Sequence, residues 1–574
     1  MGKRERILFI VIIFLLIFQS CKDNPEETNA VAANDEDLVE NVGTHEDSDD
    51  YSFDESQAVT ISLQDNASTT SGSGVTISNN KVTITNAGSY NISGSLSNGQ
   101  LIVNTEDNST VKLQFNGIDI KNSTTSPVYI VNAKKTVIKL ADNTSNYITD
   151  GTSYSFSDGT DEPNAALFSK TDFTIYGNGS LNVDGNYNDA IAGKDGLIMA
   201  GGNITITSAD DGIRGRDYLV IGGGSLHITA SGDGLKADNS EDAGKGYISF
   251  NGGNCTIVSG GDGLDAAKDA IINNGTLNIT AGGGSSKSAS STVSKKGIVS
   301  SVSTTINNGT INISSADDAL HSNNSLTIND GNLALSSGDD GIHSDATLTI
   351  NNGTIIISKC YEGIESEAIT INNGNITLTS GDDGINGAGG VDGSGNGQFA
   401  SAGNYSLNIN GGYIAVYATG DGLDVNGSIT MTGGTVLVHG PTANDNGAID
   451  YDSSFNITGG IIIAAGSSGM AQAPGSTSKQ YSLLVTFSKS KSANSLFHIQ
   501  KSDGTEVLTF APVKTYQSIA VSMPELTKGS SYDIYVGGSS TGTLKDGLYT
   551  GGTYSGGTKS TTLTISSTTT KVNL

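Results

Sequence analysis

Tryptophan is absent, proline occurs only seven times in 574 residues, and after residue 6 the only arginines are Arg214 and Arg216. The missing tryptophan removes the usual mark of a β-propeller, whose blades also need a repeat of about 40 residues or more. With 30 Lys and Arg against 59 Asp and Glu, and a net charge of −29, the chain lacks the basic clusters that phosphate backbones require, which excludes nucleic acid as a partner. Charged residues make up only 16%, too few for the Glu- and Lys-rich periodicity of bundles and coiled coils. No long apolar run follows the leader. The run that opens the chain, Ile7 to Phe18, rises about 18 Å as a helix, short of a bilayer core of about 30 Å.

That opening run therefore reads as a signal peptide, with Lys3, Arg4 and Arg6 before it and Gln19-Ser20-Cys21 after it. A cysteine at that place resembles a bacterial lipobox, with Phe18 where Leu is usual. Residues 1–20 are expected to be removed, leaving Cys21 lipidated and the mature chain at −31. Residues 21–55 hold one Lys among thirteen Asp and Glu and predict an acidic flexible tether. By analogy with surface-export signals, the address is the outer membrane and cell surface of a Gram-negative bacterium, as a membrane-anchored monomer.

What the chain has in abundance is glycine, 76 residues of it, in a repeat. Gly-x-aliphatic-x-aliphatic starts at Gly202, Gly224, Gly253, Gly275, Gly309, Gly331, Gly353, Gly374, Gly412 and Gly434, a base step of 22 with three insertions. In step with it runs Asp-Gly-aliphatic, as at Asp211, Asp233, Asp262, Asp340 and Asp383. Three short alternating segments per repeat cannot close a domain, but stacked repeats align their Ile, Leu and Val into continuous ladders. The expected fold is all-β: a right-handed parallel β-helix over residues 56–475, with a C-terminal β capping module at 476–574. Gly282 to Lys296 and Gly387 to Gly403 are loop excursions. Cys255 and Cys360 fall about four repeats apart, roughly 19 Å, beyond the reach of a disulfide, and are expected to be free core filler.

A period of 22 turns the sequence into columns. Asp189, Asp211 and Asp233 share one, and Asp318, Asp340, Glu362 and Asp383 continue it. Asp195 and Asp217 share another, with Asp210, Asp238 and Asp242 nearby and Asp262 and Asp265 one repeat on. Carboxylates about 4.8 Å apart repel by roughly 3 kcal/mol at an effective dielectric near 20. Ca²⁺ would offset that, so these ten residues, Asp189, Asp195, Asp210, Asp211, Asp217, Asp233, Asp238, Asp242, Asp262 and Asp265, are the candidate metal ligands. The competing reading makes each Asp an acceptor of backbone N–H bonds at its turn. Arg214, Arg216 and Lys236, with Tyr218 and Tyr247, are candidates for carbohydrate contact; the basic groups could equally neutralise the aspartates. His321 and His343 are expected to be ordinary surface residues.

The segments DEPNAALFSKTDFTI (161–175), GNYNDAIAGKDGL (185–197), DDGIRGRD (210–217), GDGLKADNSEDAGKGYI (232–248), GAIDYDSSF (447–455) and GSSGMAQAP (466–474) resemble the bacterial carbohydrate-binding family whose β-helix is similar to that of pectate lyases. The resemblance implies bound calcium, binding of cellulose-like and pectin- or polygalacturonate-like polysaccharide, and no catalytic activity. Ala190, where most repeats have Gly, departs from it. A calcium-dependent polysaccharide lyase with Arg214 or Arg216 as base, and a structural adhesin or stalk, remain as alternatives.

Overall fold

The computed structural model describes residues 45–156, 161–288, 293–388 and 404–574. The leader, Cys21 and residues 21–44 of the expected tether lie outside them, as do 289–292 and 389–403 of the two excursions. A compact unit runs from Glu46 to Leu574. Among the described residues every regular element is a strand, 55 in all, with no helix, and 47 of them join one sheet that is mostly parallel.

From Ala165–Ser169 to Ile298–Ser300 each strand pairs in parallel with the third strand after it. One column of that register reads Ile213, Leu235, Leu264, Ile298, Leu320, Ile342, Ile364, Ile385 and Leu423, and every member is buried. A second reads Ile204, Leu226, Cys255, Leu277, Ile311, Leu333, Ile355, Ile376 and Ile414. Each such side chain contributes about 1.5–3 kcal/mol by leaving water. The insertions leave the register intact because they fall between strands. Cys255 takes the place of a leucine in its column, and both Cys255 and Cys360 are free and buried, as expected; burial pushes each thiol up to about 12. On the turns an asparagine ladder runs alongside: Nδ2 of Asn273, Asn307, Asn329, Asn351 and Asn372 each donates to Oδ1 of the Asn one repeat earlier, at 2.7–2.8 Å.

Both ends of the parallel sheet are covered, which removes open edges. Near the start, Val75–Ser78 and Lys81–Ile84 form a hairpin. At the finish, Ile461–Gly466 pairs antiparallel with Tyr516–Ser522, over a second core around Phe497, Phe510, Ile519 and Tyr532. One boundary needs correction. Residues 46–55, placed in the solvated tether by charge alone, pack on the folded body: Asp50 is buried and ion-paired with Lys135, and Lys112 Nζ donates to the Ser52 carbonyl at 3.0 Å. The acidic segment finds lysines on the sheet that its own composition does not reveal.

Candidate functional site

The turn that leads into each strand of the Ile213 column carries an acid, or in one repeat Lys296, two residues before the buried aliphatic, and the strand presents an outward side chain one residue after it. Two parallel columns result. The inner one is Asp189, Asp211, Asp233, Asp262, Lys296, Asp318, Asp340, Glu362, Asp383 and Asp421. The outer one follows the register Arg214, Lys236, Asp265, Val299, His321, His343, Glu365, Asn386, Asp424 and Asp450.

In the inner column the two oxygens of each carboxylate do different work. Oδ1 accepts the backbone N–H of the next member: Asp233 donates to Asp211 at 2.9 Å, Asp262 to Asp233 at 2.8 Å, Lys296 to Asp262 at 2.6 Å, Asp340 to Asp318 at 2.9 Å and Asp421 to Asp383 at 2.5 Å. The backbone-acceptor reading of these aspartates is thus part of the structure, with the donor coming from the neighbouring repeat. Lysine cannot accept, and at Lys296 the ladder breaks; the Asp318 N–H turns to Asp317 Oδ1 instead, at 3.0 Å. The glycine before the acid belongs to this arrangement: a Cβ on Gly420 would collide with Oδ1 of Asp382 and Asp383.

The second oxygen meets the outer column, and there the chain divides. In the first stretch Arg214 Nε lies 3.4 Å from Asp189 Oδ2 and Nη1 3.7 Å from Asp238. Lys236 Nζ sits 2.5 Å from Asp233, 3.1 Å from Asp265 and 3.8 Å from Asp211. Burial raises Asp189 and Asp262 to about 7 and Asp211 to about 6, with Arg214 opposing at Asp189 and Lys236 at Asp211. Burial alone would lower Lys236, yet Asp211, Asp233 and Asp265 hold it well above the ordinary lysine range.

In the middle stretch Lys296 Nζ reaches Asp318 Oδ2 at 2.5 Å and Asp317 at 3.1 Å. His321 Nδ1 is 2.8 Å from Asp318, and His343 Nδ1 is 3.3 Å from Asp340. Both imidazoles are buried, which corrects their assignment to the surface. Burial opposes the charged form of His343, but Asp340, Asp318 and Glu365 raise it to about 10.

In the last stretch no lysine or arginine answers, and Glu365 has the His343 ring at 3.8 Å. The sequence has no Lys or Arg from Cys360 to Ser478. Burial, then neighbouring carboxylates, raises Glu362 to about 8, Glu365 to about 9, Asp383 to about 8 and Asp424 to about 6; burial likewise takes Asp421 to about 7. One carboxylate oxygen from each of Asp383, Asp421 and Asp424 lies within 4.8 Å of the others.

Of the ten predicted metal ligands, the structure brings Asp233, Asp262 and Asp265 together within 4.8 Å, with Lys236 against two of them. Hard oxygen donors there fit a Ca²⁺ ion, but the ammonium already supplies positive charge at the same oxygens. Asp189 and Asp211 are engaged as above. Asp217 pairs with Lys245 at 2.8 Å, and Asp242 with the same lysine at 3.5 Å. Asp195 stands beside Asp217 in its column, while Asp210 and Asp238 are exposed. Arg216 reaches Glu241 at 3.8 Å. Tyr218 and Tyr247 stack on each other at 5.8 Å and are buried at 5% and 0% exposure, so neither can serve as a platform for a sugar ring.

Sequence reasoning passed over two features. Asn386 and Asp424 lie two residues beyond the buried aliphatic's preceding glycine, a register position shared with Arg214 and Lys236 that could have exposed them. Tyr51, 41% exposed, meets Tyr176 edge to face at 5.2 Å. Both line a groove of about 940 Å³ with Lys139, Asp142 and Asn178. Because Tyr51 falls in the acidic segment, composition hid it.

The comparisons bear on the same region. A model described as carbohydrate-binding domain-containing protein matches residues 78–341. A carbohydrate-binding domain-containing protein of Acetivibrio thermocellus is 43% identical over 211 residues, 37% of this chain and 74% of the relative. The solved structure of a polysaccharide lyase-like protein from C. thermocellum, a gadolinium derivative, is 35% identical with a TM-score of 0.39, covering 39% of this chain and 92% of that one. Identity at that level across three quarters of the Acetivibrio protein makes this chain a member of the carbohydrate-binding domain-containing family.

Proposed function

We propose that the chain winds as a right-handed parallel β-helix and acts as a non-catalytic, cell-surface lipoprotein that binds polysaccharide, with calcium held by its acidic columns. Cys21 would carry the lipid anchor in the outer membrane of a Gram-negative cell, with the protein monomeric. Cellulose-like and pectin- or polygalacturonate-like glycans are the expected ligands. Family membership is the observation that carries carbohydrate binding. The exposed ring of Tyr51 beside Tyr176 suits a neutral sugar face. A uronate polymer, by contrast, needs a cation between its carboxylates and a chain this acidic, and bound Ca²⁺ keeps coordination positions open for sugar oxygens.

The lyase alternative requires a neutral base free to take the proton beside a uronate carboxylate. Arg214 is held by Asp189 and Asp238, Arg216 faces Glu241, and Lys236 is kept protonated by three carboxylates, which disfavours all three. The test is retention of the mature protein on insoluble cellulose and on polygalacturonate, with calcium and with chelator, while absorbance of unsaturated uronate products is followed. Retention without products is expected, with polygalacturonate binding lost on chelation. Absence of retention on both polymers, or accumulation of unsaturated products, defeats the reading.

A further inference from the structure

We infer that Asp383, Asp421, Asp424 and Asn386 form a Ca²⁺ site at the C-terminal end of the paired columns, outside the stretch matched by the family model. Three carboxylates alone would not make one, since acidic groups often cluster without an ion. The observation that points to a ligand is Asn386. Its side chain is buried, at 7% exposure, and its Oδ1 has no hydrogen-bond donor among the described residues. The amide orientation follows from its other branch: Nδ2 donates to Glu362 Oε2 at 2.5 Å and lies 3.5 Å from Glu365 Oε1. Glu362 and Glu365 belong to the preceding repeat. The carbonyl branch, about 120° away at a planar amide carbon, turns toward the following repeat, where the register sets Asp424 beside Asn386.

A buried carbonyl oxygen thus faces carboxylates, acceptor against acceptor. Such a group costs about 1–3 kcal/mol if nothing meets it. Protein donors are scarce. Oδ1 of Asp383 and of Asp421 is already used by the backbone N–H groups of Asp421 and Gly447, which fixes the other oxygens toward the outer column. The lysines of the C-terminal region go elsewhere, Lys514 to the Ala418 carbonyl and Lys545 to Asn375 and the Tyr413 ring. What remains is a set of hard oxygens, three from carboxyl groups and one from an amide, on strands and turns whose backbone is held by the parallel ladder. Six to eight oxygen ligands in adaptable geometry suit Ca²⁺, with water completing the shell; Mg²⁺ requires a tighter octahedron and gives up its water reluctantly.

This site deepens the calcium element of the proposed function and depends on that reading only for its link to glycan. The test is titration of chelator-treated mature protein with Ca²⁺ by calorimetry and with Tb³⁺ by luminescence. Asp421→Asn with Asp424→Asn should remove one binding event, and Asn386→Leu should weaken it about tenfold, whereas Asp233→Asn should leave it in place. In chelator the double variant should melt at or above the wild-type temperature, because two repelling carboxylates are gone, and Ca²⁺ should no longer raise that temperature. Wild-type affinity in the double variant, a lower melting temperature in chelator, or Mg²⁺ competing on equal terms would each overturn the site. Polygalacturonate retention measured in parallel separates the two ideas: loss of glycan binding with Ca²⁺ binding intact defeats the functional reading and leaves the site standing.

Discussion

Two stretches of the same columns, Asp189 to Asp265 and Glu362 to Asp450, share backbone, register and turn chemistry, yet balance their charge in opposite ways. In the first, Arg214 and Lys236 occupy the outer column and each answers two or three carboxylates. In the second, the outer column is Glu365, Asn386, Asp424 and Asp450, and the segment holds no Lys or Arg. The stacked backbone tolerates either filling because each inner-column aspartate secures one oxygen on the next repeat's N–H; only the other oxygen is left to be balanced. The difference teaches that a parallel stack makes charge compensation a local, column-by-column property, which a net charge of −29 conceals.

The sharpest way to break the contrast is to remove a cation from the compensated part. Lys296 stands in the inner column and its Nζ lies 2.5 Å from Asp318, which is itself fully buried. Lys296→Met keeps the stem's packing, removes the ammonium and leaves His321 Nδ1 at 2.8 Å beside Asp318 Oδ2. Urea unfolding should report a loss of about 3–5 kcal/mol, the usual cost of breaking a buried pair from one side. A loss below about 1 kcal/mol would mean that the inner column does not need its internal cation.

The next effect is pH-dependent. His343 packs among Asp318, Asp340, Asp345, Glu365 and the His321 ring, and its folded value is raised to about 10 against 6.5 for the free side chain. A raised histidine contributes stability that is fully present below about 6.5 and is lost as pH climbs toward 10, at up to about 1.4 kcal/mol per unit. The stability difference between wild type and His343→Gln should therefore shrink across that window. A difference that stays flat from pH 6 to 10 would show that His343 is neutral in the native protein.

How much of this could be read beforehand follows the same physics. The 22-residue step and the columns through Asp211, Asp233, Asp340 and Asp383 were legible because glycine and aliphatic positions repeat without regard to what faces outward. Partners were less legible. Asp50 meets Lys135 across 85 residues, and nothing local marks either one. His321 and His343 read as surface residues because nothing local in the sequence shows the carboxylates stacked around them. Asn386 and Asp424 are harder to single out, because the acid before each glycine repeats along the chain while the outward position beyond it changes from Arg and Lys to His, Asn and Asp.

A smaller effect, opposite in sign to that of Lys296→Met, is expected in the uncompensated part. Glu362 is half-buried with its carboxyl raised to about 8, and its Oε2 accepts from Asn386. Glu362→Gln retains an acceptor for that bond and removes a charge that meets Asp340 and no base among its named partners. In chelator at pH 8 the variant should gain about 1 kcal/mol in denaturant unfolding. A loss of the same size would place a stabilising cation beside Glu362 and erase the distinction between the stretches.

The smallest effect tests the division between packing and recognition. Tyr218 and Tyr247 follow each other in register on the strands Tyr218–Ile221 and Tyr247–Phe250, and the Tyr218 hydroxyl donates to Asp172 Oδ1 at 3.3 Å. Tyr218→Phe keeps the ring stack and gives up that one bond, so stability should fall by no more than about 1 kcal/mol. Retention on cellulose and on polygalacturonate should not change, since a buried ring offers no face to a sugar. Tyr51→Ala, which removes an exposed ring from the groove beside Tyr176, should instead lower retention on cellulose while leaving that on polygalacturonate close to wild type. If Tyr218→Phe alone abolished retention, the buried pair would have to open toward ligand, and the separation of a packed stack from a contact surface would fail at that point.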